Sequence, residues 1–127
     1  MKNYKFSIKR RAKSFVYAFN GIRLLFLEEH NSRIHALAAI CAITAGILLK
    51  ISRIEWIALA FAIGLVFAIE TINSSIENTA DLISLEQSSR MKKIKDLSAA
   101  AVLISSITAL VVGALVFIPR IVLLFQG

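Results

Sequence analysis

Three long apolar runs, over residues 34–49, 54–83 and 97–118, constrain this chain more than any other feature. Inside a bilayer every backbone N–H and C=O has to be satisfied within the protein, so only helices and closed barrels span it. A spanning helix takes about 17–25 residues and a spanning strand about 9–11. The runs have helix length; the first, the shortest, borrows from its polar flanks, and the second turns polar in its last third. An all-α membrane protein with three transmembrane helices is expected, as one unit over residues 1–127. Hydrophobic residues make up 57% of the chain and mean hydropathy is +0.74, too apolar for a soluble domain of this length. No short apolar run with a small-residue cleavage site comes before the first span, so no cleaved leader is expected.

The net charge of +7 would suit a nucleic-acid binder, but its distribution argues against one. Lys2, Lys5, Lys9, Arg10, Arg11, Lys13, Arg23 and Arg33 precede the first span, and Arg90, Lys92, Lys93 and Lys95 precede the third. Basic clusters that flank apolar runs follow the positive-inside rule and attract anionic headgroups. The turn at residues 50–55 carries only Lys50, Arg53 and Glu55. Three spans then place the N-terminus inside and the C-terminus outside. Residues 1–28 read as an amphipathic surface helix, with Ile8, Ala12, Phe15, Phe19, Ile22 and Phe26 on one stripe. Residues 84–93 read as a polar loop, and Pro119 with Arg120 as the end of the third span. Cys41 is the lone cysteine and reads as a small hydrophobe.

Chemistry concentrates on the second span. At 100° per residue, Glu77 and Asp81 lie within about 20° of Glu70, and Asn73 lies about 60° to one side. A charge at the bilayer centre costs roughly 2.5–3.5 kcal/mol on insertion scales, so a purely structural helix would not carry such a row. Glu70 falls in the inner leaflet, and Glu77 and Asp81 fall near the cytoplasmic boundary. Glu29, Asn31, Arg33 and His35 form a second cluster, in which Glu29 and Arg33 have the spacing of a helix-surface ion pair. His30 and His35 are five apart, a poor metal pair. Lys95 and Asp96 form a third cluster, and Asp96 also reads as a helix N-cap. Neighbouring carboxylates suit Mg²⁺, lysines suit phosphate, and a carboxylate in the inner leaflet can take a proton from a lipid hydroxyl. These residues permit phosphoryl transfer to a lipid without compelling it. No G-x-x-x-x-G-K-[ST] loop and no protein-kinase signature occurs.

The segments E-T-I-N-S-S-I-E-N-T-A-D at 70–81 and K-D-L-S-A-A-A-V-L at 95–103 resemble the bacterial integral-membrane diacylglycerol kinase and undecaprenol kinase family. E-H-N-S-R-I-H at 29–35 and S-F-V-Y-A-F-N-G-I at 14–22 match it too, so the resemblance covers nearly the whole chain in order. It implies a homotrimer with active sites shared between subunits, and Mg-ATP-dependent phosphorylation of a lipid alcohol. By motif it implies Glu70 as the catalytic base and Glu29 and Glu77 as the metal-binding carboxylates that also face ATP. Asn73, Lys95 and Asp96 correspond to nucleotide-site residues, and Arg10 and Tyr17 to N-terminal nucleotide contacts. Residues 86–88 lie where the family contacts ATP. Asp81 matches the pattern without an assigned role. The segments at 14–22 and 29–35 resemble the undecaprenol-type branch, whereas D-L-S-A-A-A-V at 96–102 fits neither branch.

The competing class is a small transporter or channel subunit. Small multidrug carriers also use an intramembrane Glu, but they lack a cytoplasmic K-D pair and have four spans.

Overall fold

A computed structural model describes residues 5–83 and 88–127. It contains four helices: α1 (Ile8–Glu28), α2 (His30–Leu48), α3 (Arg53–Ile83) and α4 (Ser89–Gln126). The last three are long and apolar enough to cross a membrane. The chain is thus the all-α membrane protein that the apolar runs predict. Large apolar side chains cover its outside; Ile40, Phe61, Leu103 and Leu115 are each more than half exposed. In water such a surface would be untenable, but against lipid or another apolar helix it is ordinary.

α3 is the central element. α2 and α3 form an antiparallel hairpin closed by a tight turn, in which Lys50 takes the left-handed conformation at φ 52°. Ser52 and Glu55 start α3 with a reciprocal capping box: Ser52 Oγ accepts from the Glu55 N–H, and Glu55 Oε1 accepts from the Ser52 N–H. Beside the turn, the Trp56 ring packs against Gly46, where a Cβ would lie only 2.8 Å from it. α4 returns antiparallel along α3 and makes the most extensive helix pairing in the molecule. A small core of Ile51, Leu59 and Val116 closes this end of the bundle. Arg120 ties it together, donating to the Lys50 carbonyl and to the Glu55 carboxylate.

α1 packs only by its C-terminal end. Leu25 is buried, and the Phe26 ring meets Phe67 of α3 at 5.8 Å between centroids. Ile8, Phe15 and Phe19 of the predicted stripe stay exposed, as befits a helix lying in a membrane interface. Glu29 alone is extended, at φ −106° and ψ 112°, and separates α1 from α2.

Four helix ends differ from the sequence reading. α1 begins at Ile8, where the Ser7 hydroxyl caps it by accepting from the Arg10 N–H, so residues 5–7 are not part of the surface helix expected over 1–28. α2 begins at His30, because the chain re-enters helix directly after Glu29. α4 begins at Ser89, not near residue 97: the Ser88 hydroxyl caps it by accepting from the Met91 N–H at 3.0 Å. Residues 89–93 are therefore helical, and Asp96 lies in the second turn rather than at the cap. α4 also runs through Pro119 to Gln126. Proline removes one donor, but the apolar segment beyond it has no better way to satisfy its backbone than to continue the helix.

Candidate functional site

The polar residues of α3 stand at the end of the molecule opposite the Arg120 tie. Because α3 is flanked on two sides, the row splits between its neighbours. One branch faces α2. Glu70 is fully buried, its side chain 3% exposed, and its Oε1 lies 3.0 Å from Nε2 of His35. That distance is short enough for an ion pair, yet the geometry is not aligned for a hydrogen bond, and Oε1 has no hydrogen-bond partner among the described residues. One turn further on, Ser74 donates from Oγ to Glu29 Oε1 at 2.8 Å. Glu29 precedes α2 in the position of an N-cap, but its carboxylate makes no cap and turns to Ser74 instead. Ser32 is completely buried on the same stretch of α2, and its hydroxyl is likewise without a partner among the described residues. Two unsatisfied buried oxygens on one helix pair are costly in a resting fold, and such groups concentrate at sites that receive a ligand.

The other branch faces α4. Asn73 Oδ1 accepts from Ser98 Oγ at 2.6 Å, a polar rung in an apolar groove of about 340 Å³ bounded by Ile69, Ile76 and Leu97. Nearer the helix ends, Lys95 Nζ lies 2.8 Å from Asp81 Oδ1. Glu77 is half-buried between the branches, within electrostatic reach of Lys95, and makes no hydrogen bond among the described residues.

The remaining positions stand apart in the single chain. Asp96 points to the outer side of α4 and pairs with Lys92 at 2.6 Å. Arg10 and Tyr17 lie on the exposed face of α1, about 27 and 17 Å along its axis from Glu28. Residues 86 and 87 lie outside the described residues, and Ser88 is the α4 cap. The expected Glu29–Arg33 pair does not form. Arg33 bonds the Phe26 and Leu27 carbonyls at 2.8 and 2.7 Å and so satisfies the C-terminal end of α1. The reason is the break at Glu29, which removes the two residues from a common helix. Sequence motifs gave no role to His35, Ser32, Ser74, Ser98 or Asp81. A serine at helical spacing from two carboxylates, Glu70 and Glu77, was the available signal for one of them, Ser74.

Among the described residues no three carboxylate, histidine or cysteine side chains come together as a ready-made cage for a metal ion. A hard cation that keeps several waters and binds substrate phosphates needs only one or two carboxylates, which the two half-buried residues Glu29 and Glu77 can supply.

Comparison with known proteins identifies the family. The prokaryotic diacylglycerol kinase profile matches residues 16–117, from α1 through most of α4. An undecaprenol kinase from Bacillus subtilis is 35% identical over 120 residues, covering 94% of this chain and 98% of that protein. A diacylglycerol kinase from Escherichia coli K12 is 30% identical over 111 residues, 87% of this chain and 91% of its own length. A diacylglycerol kinase from Synechocystis is 36% identical over 107 residues, 84% of this chain and 61% of that longer protein. With a match across four-fifths of its length and full-length relatives at this identity, the chain belongs to the prokaryotic diacylglycerol kinase family.

Proposed function

We propose that this protein is a lipid kinase that transfers the γ-phosphoryl group of ATP to the primary hydroxyl of a membrane lipid alcohol, at the cytoplasmic face of a bacterial membrane. Membership in a lipid kinase family supports the class of reaction. One observation carries the chemistry: Glu70 is a fully buried carboxylate in a helix apolar enough to span a membrane, and its Oε1 has no hydrogen-bond partner among the described residues. A buried carboxylate left this incompletely satisfied is a base that can take the proton of a lipid hydroxyl. In the transfer, the hydroxyl gives its proton to Glu70 as its oxygen bonds to the γ-phosphorus. The bond from that phosphorus to the β,γ-bridging oxygen breaks, and ADP leaves.

Phosphoryl transfer asks for positioning and charge neutralisation more than for covalent help from the protein. Glu29 and Glu77 would hold Mg²⁺, which when bound neutralises phosphate charge. Lys95 adds a positive charge for the phosphates. Asn73, Asp96, Arg10 and Tyr17 belong to the nucleotide site by motif. Three spanning helices enclose little volume, so a homotrimer that completes each site with a neighbouring subunit fits the separation of these residues in one chain. The basic flanks support an N-terminus inside and a C-terminus outside. The segments at 14–22 and 29–35 favour undecaprenol over diacylglycerol as the acceptor.

The test is transfer of labelled γ-phosphate in mixed micelles containing a panel of lipid alcohols. Transfer that depends on the added alcohol and on Mg²⁺ is the expected result. Failure of every alcohol to elicit ATP consumption would count against a lipid kinase and favour the transporter class. Competition between undecaprenol and diacylglycerol at equal mole fraction, read as kcat/KM, decides the acceptor. A tenfold preference for diacylglycerol, about 1.4 kcal/mol, would reverse the choice of lipid and leave the kinase reading in place.

A further inference from the structure

His35 is on the α2 face that meets α3, one turn after the buried Ser32; it closes the E-H-N-S-R-I-H segment, but the reaction above gives it no role. It is the only side chain within ion-pair distance of Glu70 among the described residues. Its own side chain is 25% exposed, toward the cleft of about 540 Å³ between α2, α3 and α4, so it bridges that cleft and the buried carboxylate. A carboxylate taken out of water needs a donor or a counter-charge to remain ionised, and only the ionised form can accept a proton. Lipid-facing helices leave no water to do this, so the donor has to come from the protein.

We propose that His35 is a positioning residue for Glu70. With its proton on Nε2 it donates to Oε1, fixes the carboxylate rotamer and leaves the other oxygen to face the lipid hydroxyl. The present geometry, 3.0 Å but off-line, suits this role, since resting contacts of this kind are commonly misaligned and tighten when substrate binds. The Ser74–Glu29 bond supplies the register: it pins the start of α2 to α3, which brings His35 level with Glu70. The proposal rests on Glu70 being the base.

The test compares His35→Ala and His35→Gln with Glu70→Gln and the unaltered full-length protein in mixed micelles. Glutamine keeps an N–H donor at about the reach of Nε2, and alanine does not. Expected are a fall in kcat of about tenfold or more for His35→Ala with KM for ATP within about twofold, and recovery to within about threefold for His35→Gln. Thermal unfolding and Mg-ATP binding report whether each variant is assembled. Where His35→Ala loses assembly, His35→Met, which has bulk and no donor, takes its place under the same criteria. Three results overturn the proposal: alanine within twofold of the unaltered protein, alanine and glutamine equally impaired, or a loss confined to KM for ATP. Glu70→Gln separates the two levels. If it is inactive while His35→Ala is not, only the His35 proposal fails; if Glu70→Gln stays active, the base assignment fails and takes the positioning role with it.

Discussion

Lys95 of α4 reaches Asp81 of α3, with Nζ 2.8 Å from Oδ1, and this contact holds a predicted phosphate ligand against a competing carboxylate. Both side chains are more than a third exposed, so solvent screens the pair and it contributes little to stability. ATP phosphates, with more charge, can draw Lys95 away. Asp81→Asn is therefore expected to unfold at nearly the same temperature and to leave kcat in place, with KM for ATP unchanged or lowered up to about threefold. Lys95→Ala should do the reverse, raising KM for ATP and lowering kcat. Steady-state kinetics with ATP varied checks both. An Asp81→Asn variant with no turnover would show that this carboxylate has a direct part in the reaction.

The proposed division of labour among the carboxylates is testable through their different surroundings. Glu70 is buried with an unsatisfied oxygen, while Glu29 and Glu77 are half-buried. Glu70→Gln should lower kcat by about 10²–10⁴-fold, the usual worth of a general base, and leave Mg-ATP affinity within about twofold. Glu29→Gln and Glu77→Gln should weaken Mg-ATP binding. Calorimetric titration of each variant with Mg-ATP, beside turnover, separates the two classes.

Orientation is open to a labelling test. Arg53 at the α2–α3 turn and Ser89 at the start of α4 are both exposed and lie at opposite ends of α3 and α4. In a Cys41→Ala background, Arg53→Cys should react with an impermeant thiol reagent from outside intact cells. Ser89→Cys should react only after the membrane is opened. Labelling of both from outside would refute the proposed topology.

Shared sites predict rescue between inactive subunits. Glu70→Gln and Lys95→Ala chains, unfolded, mixed in equal amounts and reassembled, should regain activity if one site takes these residues from different chains. Random assembly gives an intact pairing in about one site in four. No recovery, with mixed oligomers confirmed, would mean that each chain supplies both residues to its own site.

The Gly46–Trp56 contact makes a stability prediction far from the chemistry. A Cβ at position 46 would come within 2.8 Å of the indole and 3.0 Å of Ile51. Gly46→Ala should cost about 1–3 kcal/mol through overpacking, seen as a lower unfolding temperature in detergent. Folded Gly46→Ala protein should keep near-normal kcat, because the contact lies at the end of the bundle away from Glu70.

What the sequence by itself determined is whatever depends on local pattern. Hydropathy runs define the three spans, since lipid leaves a backbone no alternative to helix, and α3 from Arg53 to Ile83 was legible end to end. The E-x-x-N-S-x-x-E and K-D motifs identify the family, because they lie in unbroken helices where spacing translates directly into position. Helix ends were less legible. Asp96 has the residue type of an N-cap, yet the cap is Ser88, and Pro119 sits inside α4. These ends depend on whether the backbone finds a partner nearby, which residue type alone does not say.

Only the tertiary structure decided which neighbour each polar residue meets. Glu70 and Asn73 are about 60° apart on α3, close enough to read as one stripe. With α2 on one side and α4 on the other, that angle sends Glu70 to His35 and Asn73 to Ser98. The extended backbone at Glu29 likewise takes Arg33 from its sequence neighbour and gives Glu29 to Ser74, 45 residues away. Such partnerships follow from the register of packed helices, which is fixed by contacts distant in sequence: Trp56 against Gly46 at one end, and Ser74 against Glu29 at the other.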